Sequence, residues 1–516
     1  MRLNFFSSHT FSPCLIAALL LWLPNSGLCE FRDVCIIGGG AGGMTAAVLL
    51  KDNGYSSVVF EEADSIGGHC HTLRFDPPPG ESVDWLDVGV IEFPNTTKAN
   101  QQGFGPWSFD SPSFFARFSG GPTSILTMPP IMSGVRIVDL QSGADLGMMP
   151  PLLETPTPEF FAALRNLQQI AARYPWLDTG QVPDIVPPEL LVPFSDFITA
   201  HNLQPLEERI FSIMWIGGLG DFQDLTTLYA MINVGPTILS TLLNSPPFNL
   251  RGGCQTFYAG IQNYLGSNNV LVNAQVDSIV RGNGPIRVTG QIIDPSRQSR
   301  RTFSYTCSKI FIGFPPTLDK MATLFPDFDD SELDFYRKVR FRPFFATAVE
   351  LSGPGVDYNN YALTNNTLTN NNSTISRFYN VKPERPYGHP ELPATVIISR
   401  DVPYGPFSAP MVGLPCQPNT LDEMKAIVAR QLAKLPSSVV TSANVPTIFE
   451  HRFQPYYSSR DLQAVPSPPS ELRSLQGHRN TFYVGAIESF CSHIHIIERN
   501  INLIKANFPT RPVLKA

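Results

Sequence analysis

Three glycines and one glutamate near the N-terminus have the types and spacing that bind a dinucleotide. In DVCIIGGGAGGMTAAVLLKDNGYSSVVFEE, Gly38, Gly40 and Gly43 satisfy GxGxxG, and Glu61 follows Gly43 by 18 residues. Gly38 would permit a tight turn, Gly40 a close backbone approach to a pyrophosphate, and Gly43 close packing of a helix on a strand. The Glu61 carboxylate would then accept hydrogen bonds from both ribose hydroxyls.

The segments around these residues predict the unit that must position them. DVCIIG indicates a buried parallel strand, MTAAVLLKDNG a helix that stops at Gly54, and SSVVFEE a second strand. Ala41 and Gly42 complete the turn, and a pyrophosphate would lie at the positive N-terminus of the helix. Glu62 is the neighbouring candidate for the ribose carboxylate, although strand alternation would point it away from Glu61.

A second glycine pair favours a flavin over a nicotinamide cofactor. ADSIGGHCHT resembles the FAD-binding amine-oxidase-like flavoproteins, in which Gly-Gly, an arginine and a threonine follow the acidic strand end. Gly67, Gly68 and Thr72 match, and His69 replaces the arginine that helps to hold the pyrophosphate in that family. A histidine can donate a hydrogen bond but is mostly neutral at pH 7. No second GxGxxG unit follows: WIGGLGD is followed by FQD, so the last glycine of the motif is missing. This absence favours an organic substrate over NADPH as electron donor.

Three further segments extend the resemblance. SVDWLDVGVIEF contains Val88 and Gly89, where these flavoproteins have a strand whose backbone nears the flavin. Val276, in NVLVNAQVDSIVR, matches the residue whose backbone contacts adenine. Gly485 and Ala486, in RNTFYVGAIESF, match the segment under the ribityl chain and pyrimidine. With IGGHCHT and FFARF, the chain is most similar to the fungal beta-cyclopiazonate dehydrogenase family.

The resemblance implies an α/β fold, a Rossmann-type FAD-binding domain with an interleaved α+β substrate domain. The FAD-binding segments would be residues 30–89, 246–318 and 441–516, and the substrate-domain segments 90–245 and 319–440. Aromatic residues in and beside the substrate domain predict a small apolar or aromatic substrate, although any one of them alone is more often explained by ordinary core packing. They are Trp107, Phe114, Phe115, Trp215, Phe344, Phe345, Tyr456 and Tyr457.

The N-terminus predicts secretion. Arg2 precedes the apolar run CLIAALLLWL, which has signal-peptide length, and a peptidase would cut before Glu30, so residues 1–29 would be removed. An uncleaved membrane anchor is the alternative. Four asparagines begin glycosylation sequons, which occur in secreted proteins. They are Asn95, Asn365, Asn371 and Asn372.

Bulk composition excludes other classes. The chain has 516 residues, of which 43% are hydrophobic, enough for two packed domains. With 44 acidic and 37 basic residues and no basic block, it lacks the electrostatic footprint of a nucleic-acid-binding protein. The six cysteines beyond the signal peptide show no metal-type spacing and leave their pairing open. Cys35, in an apolar strand, is predicted to be an inert core thiol.

The implied reaction is removal of a hydride from an activated C–H bond by the flavin, in a dehydrogenase or oxidase of secondary metabolism, including oxidative cyclisation. Alternatives are a redox-neutral double-bond isomerase of unsaturated fatty acids, an amine or amino-acid oxidase with Tyr456 and Tyr457 at the ring, and a flavoprotein without turnover. No motif singles out a catalytic acid or base. Covalent attachment of the flavin is a further hypothesis, and its candidate residues are His69, Cys70, His71 and Cys491.

Overall fold

The computed structural model describes residues 30–76, 84–90, 92–98, 109–127, 135–139, 145–149, 157–211, 225–236, 239, 245, 247–282, 284–294, 296, 299–352, 360–364, 374–379, 394–399, 422, 425–426, 429, 432–433, 442–490 and 492–511. None of the helices in this part of the chain combines the length and hydropathy that a bilayer-spanning segment needs.

The strands are β1 (Glu30–Ile37), β2 (Ser57–Phe60), β3 (Cys70–Arg74), β4 (Trp85–Gly89), β5 (Thr97–Lys98), β6 (Phe109–Asp110), β7 (Ile125–Thr127), β8 (Val135–Asp139), β9 (Asp145–Met149), β10 (Phe248–Leu250), β11 (Val270–Leu271), β12 (Ala274–Val280), β13 (Ile286–Asp294), β14 (Ser299–Ile312), β15 (Arg340–Ser352), β16 (Asn360–Thr364), β17 (Thr374–Tyr379), β18 (Ala394–Ser399), β19 (Ser442–Tyr456) and β20 (Thr481–Tyr483).

The α-helices are α1 (Ala41–Asp52), α2 (Ser111–Ser119), α3 (Pro158–Ala172), α4 (Phe194–Ala200), α5 (Thr227–Asn233), α6 (Gln255–Leu265), α7 (Leu318–Leu324), α8 (Asp330–Tyr336), α9 (Ser459–Leu462), α10 (Pro468–Leu475), α11 (Ala486–Ser489) and α12 (His493–Asn507). Short 3₁₀ turns cover Pro122–Ser124, Pro175–Thr179, Pro188–Leu190, Gln204–Leu206, Ser267–Asn269 and His478–Asn480, and a π-helical turn covers Glu207–Phe211.

The first sheet is the predicted Rossmann-type sheet. Among the described residues its order is β11-β2-β1-β14-β13-β12, and β20 pairs with the end of β14. The pairs of β1 with β2 and β14 are parallel, as are those of β11 with β2 and of β20 with β14. Parallel neighbours need a crossover connection, and α1 supplies it between β1 and β2. The predicted strand–turn–helix–strand unit is therefore confirmed.

Strand β1 is apolar on both faces because both of its faces are buried. Val34 and Ile36 belong to one buried cluster, which also contains residues of α1, α6 and α12. Cys35 and Ile37 point the other way, into a second cluster with residues of α3, α4 and α5. The continuous hydrophobic run in the sequence therefore reflects burial on two sides.

The apolar surroundings of Cys35 predicted an inert core thiol, and this prediction is wrong. Its sulfur is bonded to that of Cys307 on β14, with the two Cα atoms 5.8 Å apart. The partner stands on the strand beside β1, so the apolar pattern around Cys35 was right but could not reveal a neighbour 272 residues away.

The second sheet forms the platform of the predicted substrate domain. Its order among the described residues is β19-β15-β18-β17-β16-β8-β9. Strand β19 pairs with β15 over most of its length, so this sheet continues past the boundary predicted at residue 440. The FAD-type sheet resumes only at β20.

A buried ion-pair network holds β20, the strand that leads into Gly485. The Arg281 guanidinium is almost fully buried, contacts Glu332 at 2.9 Å and Asp327 at 3.3 Å, and donates to Thr481 Oγ1 at 3.1 Å. Glu332 also completes a capping box with Asp329 at the start of α8. The network therefore ties β12 and α8 to the first residue of β20.

Candidate functional site

The GxGxxG turn has the geometry that its spacing predicted. Gly38 has φ +103° and donates from its backbone N to the Phe60 carbonyl at 2.8 Å. A β-carbon on Gly43 would lie 2.0 Å from the Gly38 carbonyl oxygen, so only glycine lets α1 pack on β1 here. Ala41 is the first residue of α1, and its neighbour Gly42 is buried.

Glu61 lies at the carboxyl end of β2 and faces the glycine turn. Its Oε2 accepts from the Gly39 backbone N at 2.6 Å, and its Oε1 from the Ala63 backbone N at 2.8 Å. Burial raises the pKa of Glu61 despite these two backbone donors. The neighbouring Glu62 points to the surface, where it pairs with Lys320 at 2.7 Å. The structure therefore favours Glu61 over Glu62 for a ribose at this turn.

Glycine backbone forms the rest of the predicted pyrophosphate-binding site, which we call the cradle. A β-carbon on Gly40 would be 3.6 Å from Cα of Gly68, and one on Gly42 would be 2.6 Å from Cα of Gly485. Three segments distant in sequence therefore converge on the N-terminus of α1, and side chains at these positions would fill the space between them. An adenine dinucleotide fits this arrangement, because its pyrophosphate needs close backbone N–H groups and its ribose a carboxylate.

Two histidines lie together beside the cradle. His69 follows Gly68, and burial lowers its pKa to about 4, with further lowering by the nearby His493 and His71. Burial likewise lowers the pKa of His493, at the N-terminus of α12, to about 4. The ring nitrogen Nε2 of His493 lies 3.2 Å from the hydroxyl of Tyr258. Both imidazoles are therefore neutral at pH 7.

The other predicted contacts lie on the hairpin of β3 and β4, on β12 and at the start of α11. Val88 is buried opposite His71, and Gly89, with φ +96°, is opposite Cys70. Val276 lies on β12 at a β-bulge, where a β-carbon on its partner Gly290 would be 2.9 Å from the Val276 Cα. Ala486 begins α11 directly after Gly485 and is partly exposed.

The same hairpin is joined to the start of α6. Cys70 and Cys254 form a buried disulfide, which removes the Cys70 thiol as a nucleophile for covalent flavin attachment. Asp87 Oδ1 accepts from Thr72 Oγ1 at 2.6 Å and from the Cys254 backbone N at 2.9 Å. Thr72 Oγ1 accepts in turn from the Gln255 backbone N at 3.1 Å. We call Cys70, Thr72, Asp87 and Cys254 the hairpin–helix junction.

An aromatic cleft begins at Ala486. The Tyr229 and Phe490 rings stack with centroids 4.9 Å apart. Tyr229 Oη accepts from the Tyr457 backbone N at 2.6 Å, and the Tyr457 hydroxyl is buried with no hydrogen-bond partner among the described residues. Burial raises the pKa of Tyr457 well above its ordinary value, so this hydroxyl stays protonated. The remaining lining residues are Gly180, Gln181, Val182, Leu228, Ile232, Pro455, Leu462, Pro469, Leu472, Arg473, Ile487, Glu488 and Arg499.

Other predicted residues have different surroundings. Phe114 and Phe115 pack with Phe257 in an aromatic cluster of the core rather than in this cleft. Asn95 is partly exposed, while the next residue, Thr96, is buried. The predicted signal segment, residues 1–29, lies outside the described part of the chain. Six other predicted residues also lie outside it: Trp107, Trp215, Asn365, Asn371, Asn372 and Cys491. The side chains of Phe344 and Phe345 are likewise not described.

Comparisons with known proteins agree with the geometry of the turn. The profile of the NAD(P)-binding Rossmann-like domain matches residues 36–101. An uncharacterized protein of Acanthamoeba polyphaga mimivirus is 31% identical over 495 residues, 93% of this chain and 94% of that protein. An FAD-dependent oxidoreductase of Colletotrichum higginsianum is 26% identical over 523 residues, 98% of this chain and 97% of the relative. Beta-cyclopiazonate dehydrogenase of Aspergillus flavus is 25% identical over 466 residues, 88% of each chain.

The chain belongs to this family of FAD-dependent oxidoreductases, which includes beta-cyclopiazonate dehydrogenase. FAD is accordingly its cofactor. The family resemblance expected from the glycine pairs and from Glu61 is confirmed.

Solved structures agree on the fold of this FAD-dependent oxidoreductase. The CLA-producing fatty acid isomerase from P. acnes has a TM-score of 0.69 at 17% identity, covering 92% of this chain and 99% of its own. A putrescine oxidase solved with putrescine has a TM-score of 0.59 at 14% identity, covering 94% and 100%. The predicted amine-oxidase-like α/β fold is thereby confirmed.

Sequence reasoning missed two features of the oxidoreductase site. It placed Tyr456 and Tyr457 at the ring only under the amine-oxidase alternative and did not identify the stacked pair of the cleft, Tyr229 with Phe490, two residues on different elements. It also left the pairing of Cys70 and Cys254 open. The available signal was that each cysteine directly follows or nearly follows a Gly-Gly pair, but spacing alone could not show that the two turns meet.

Proposed function

We propose that this FAD-dependent oxidoreductase is secreted and oxidises an uncharged apolar or aromatic secondary metabolite, with oxidative cyclisation as one form of the reaction. Bound FAD would supply the hydride acceptor, its N5 atom. The task of the protein is then to hold the reacting carbon and to exclude water.

The observation that carries this proposal is the composition of the cleft beside Ala486. Its ring-bearing residues provide the flat apolar surface that an aromatic or ring-rich substrate needs. Its charged side chains are already paired: Arg473 with Asp184, and Arg499 with Glu488. Because no net charge is left for a cationic ligand among these groups, the cleft favours an uncharged substrate over an amine.

We assign the cofactor contacts by what each group offers. The turn from Gly38 to Gly43, with Ala41 and Gly42, would hold the pyrophosphate, and Glu61 still has acceptor positions for the ribose hydroxyls. Gly68 and the neutral His69 would border the pyrophosphate from the opposite side. By the family pattern, Val276 would contact adenine, and Val88, Gly89, Gly485 and Ala486 the flavin.

Secretion is supported by the cysteines. Two buried disulfides, Cys35–Cys307 and Cys70–Cys254, are expected in an oxidising compartment and are rare in the cytosol. The proposal includes removal of residues 1–29 and glycosylation at Asn95, whose side chain is partly exposed. Intact-mass measurement of protein secreted by a fungal host, before and after an endoglycosidase, tests both. A mass that retains residues 1–29 would contradict the cleavage.

The substrate is tested by comparing extracts of a fungal culture with and without the active enzyme. Candidates that differ between the extracts are added to the oxidised holoenzyme without oxygen. Bleaching of the flavin absorbance together with a product that has lost two hydrogens would support the proposal. Failure of every uncharged candidate, with bleaching by an amine, would replace it with an amine oxidase.

Double-bond isomerisation is the second candidate, because Gly-Gly-His-x-His-Thr also occurs in polyunsaturated fatty acid isomerases. The same experiment separates the two functions. An isomerase would return a product of unchanged mass and would leave the flavin oxidised after each turnover. No spectral response to any candidate would favour a flavoprotein without turnover.

A further inference from the structure

Predicted cofactor contacts lie directly before the first strand of the β3–β4 hairpin and at the end of its second strand. Gly68 and His69 directly precede Cys70, the first residue of β3. In β4, Val88 and Gly89 pair with His71 and Cys70. Any shift of this hairpin relative to the glycine turn would therefore move both groups of contacts at once.

What fixes the hairpin is its attachment to α6. The N-cap residue of that helix, Cys254, provides no side-chain cap, so the first N–H groups need acceptors from elsewhere. Asp87 and Thr72, on the hairpin, accept from the backbone N of Cys254 and of Gln255. A carboxylate is electrostatically favoured at this end of a helix. The hairpin therefore caps a helix that follows it by more than 160 residues.

Close packing leaves little freedom at this attachment. A β-carbon on Gly253 would lie 2.3 Å from Thr72 Cγ2 and 2.7 Å from Asp87 Oδ1. The Cys70–Cys254 disulfide then joins the two segments covalently, and both cysteines are buried. Hydrogen bonds, close packing and a covalent bond thus all hold the hairpin against the start of α6.

We propose that the hairpin–helix junction is the positioning device of the FAD site, and that FAD affinity depends on the Cys70–Cys254 disulfide. This inference rests on FAD binding in the cradle described above. Reduction by a dithiol such as dithiothreitol would convert the disulfide to two thiols, while the dithiol forms a cyclic disulfide. The freed hairpin would then hold Gly68 and Gly89 less firmly, and FAD would bind more weakly.

The second disulfide provides a matched control. Cys35–Cys307 is also buried, but it joins β1 and β14, which the sheet already holds by backbone hydrogen bonds. We would compare C70S/C254S with C35S/C307S, measuring FAD affinity by titration of the apoprotein and stability by urea unfolding. C70S/C254S should raise the FAD dissociation constant at least about tenfold, and C35S/C307S less than about twofold, at similar losses of stability.

A pair of single variants keeps the inference testable if C70S/C254S does not fold. Thr72→Val removes the hydroxyl that donates to Asp87 and accepts from the Gln255 backbone N, whereas Thr72→Ser retains it. The valine variant should bind FAD more weakly and shift the visible flavin spectrum, and the serine variant should match the unmodified protein. Equal FAD affinity in both variants would overturn the inference.

Two further outcomes separate this inference from the FAD assignment. A folded wild-type protein that binds no FAD would contradict the proposed function itself. Wild-type protein that binds FAD, with affinity unchanged in C70S/C254S, would overturn only the positioning role. Mass spectrometry of an unreduced proteolytic digest must also detect the Cys70 and Cys254 peptides joined by their disulfide. Absence of this linked pair would overturn the proposed positioning role of the disulfide.

Discussion

Gly42, in the first turn of α1, and Gly485, directly after β20, bring their backbones together. A β-carbon on Gly42 would lie 2.6 Å from Cα and 2.7 Å from N of Gly485. Asn500 on α12, a helix that follows Gly485 along the chain, donates from its amide to the Gly42 carbonyl at 2.8 Å. The cofactor turn and the predicted flavin segment therefore form one unit.

Gly42→Ala should push the backbone of Gly485 away from the first turn of α1. The atoms that a methyl group would meet belong to backbone, so they cannot rotate away, and overpacking of this kind costs about 1–3 kcal/mol. We expect a lower urea midpoint and a weaker FAD complex. Gly282→Ala is the control, because a β-carbon there meets nothing within 4 Å. Equal behaviour of the two variants would contradict the close contact.

Glu61→Gln should weaken FAD binding without unfolding the protein. The change keeps the shape but removes the negative charge that would accept from the ribose, and such charged hydrogen bonds contribute about 1.5–3 kcal/mol. This corresponds to a dissociation constant raised by roughly 10- to 150-fold. Glu62→Gln, at the exposed partner of Lys320, should change it little. The measurement is fluorescence titration of each apoprotein with FAD, and a larger effect from Glu62→Gln would reverse the assignment.

Acid should destabilise the apoprotein through His69 and His493. Their pKa values of about 4 in the fold lie below the ordinary value of 6.5, because burial disfavours the charged imidazolium. Their contribution to stability is therefore complete above pH 6.5 and is lost as the pH falls through about 4.

The double variant His69→Gln with His493→Gln should lose less stability over this pH window than the wild type. Urea midpoints of both apoproteins at about pH 7 and about pH 4.5 give the comparison. Identical losses in the two proteins would show that other groups, such as the partly buried His71, control the acid response.

Tyr457→Phe and Tyr229→Phe should shift stability in opposite directions. Removing the buried Tyr457 hydroxyl, which lacks a partner among the described residues, relieves a desolvation cost of about 1–3 kcal/mol. Removing the Tyr229 hydroxyl leaves the Tyr457 backbone N without its acceptor, which costs a similar amount. Urea unfolding measures both. Destabilisation by Tyr457→Phe would indicate a partner for that hydroxyl.

If the substrate uses the Tyr457 hydroxyl, the stabilised variant should be the less active one. We expect Tyr457→Phe to lower kcat/KM while it raises the urea midpoint, since function often retains a locally unfavourable group. Unchanged kcat/KM would exclude a role for this hydroxyl in substrate binding.

The first cofactor-binding unit could be predicted from local spacing alone. Gly38, Gly43 and Glu61 stand within one strand–turn–helix–strand segment, and the clash that Gly43 avoids is with a carbonyl only five residues away. Burial on both faces of β1 was likewise readable from its continuous apolar run. The sheet to which β19 belongs could not be predicted, because alternation of apolar and polar residues identifies a strand but not the strand with which it pairs.

The sequence by itself therefore determined the fold class and the cofactor, because these depend on short-range spacing and on a family pattern. Only the tertiary structure decided that Cys70 pairs with Cys254 and that Tyr229 stacks on Phe490. Such contacts depend on the path of the whole chain, which brings segments more than 180 residues apart to within a bond length or a ring diameter.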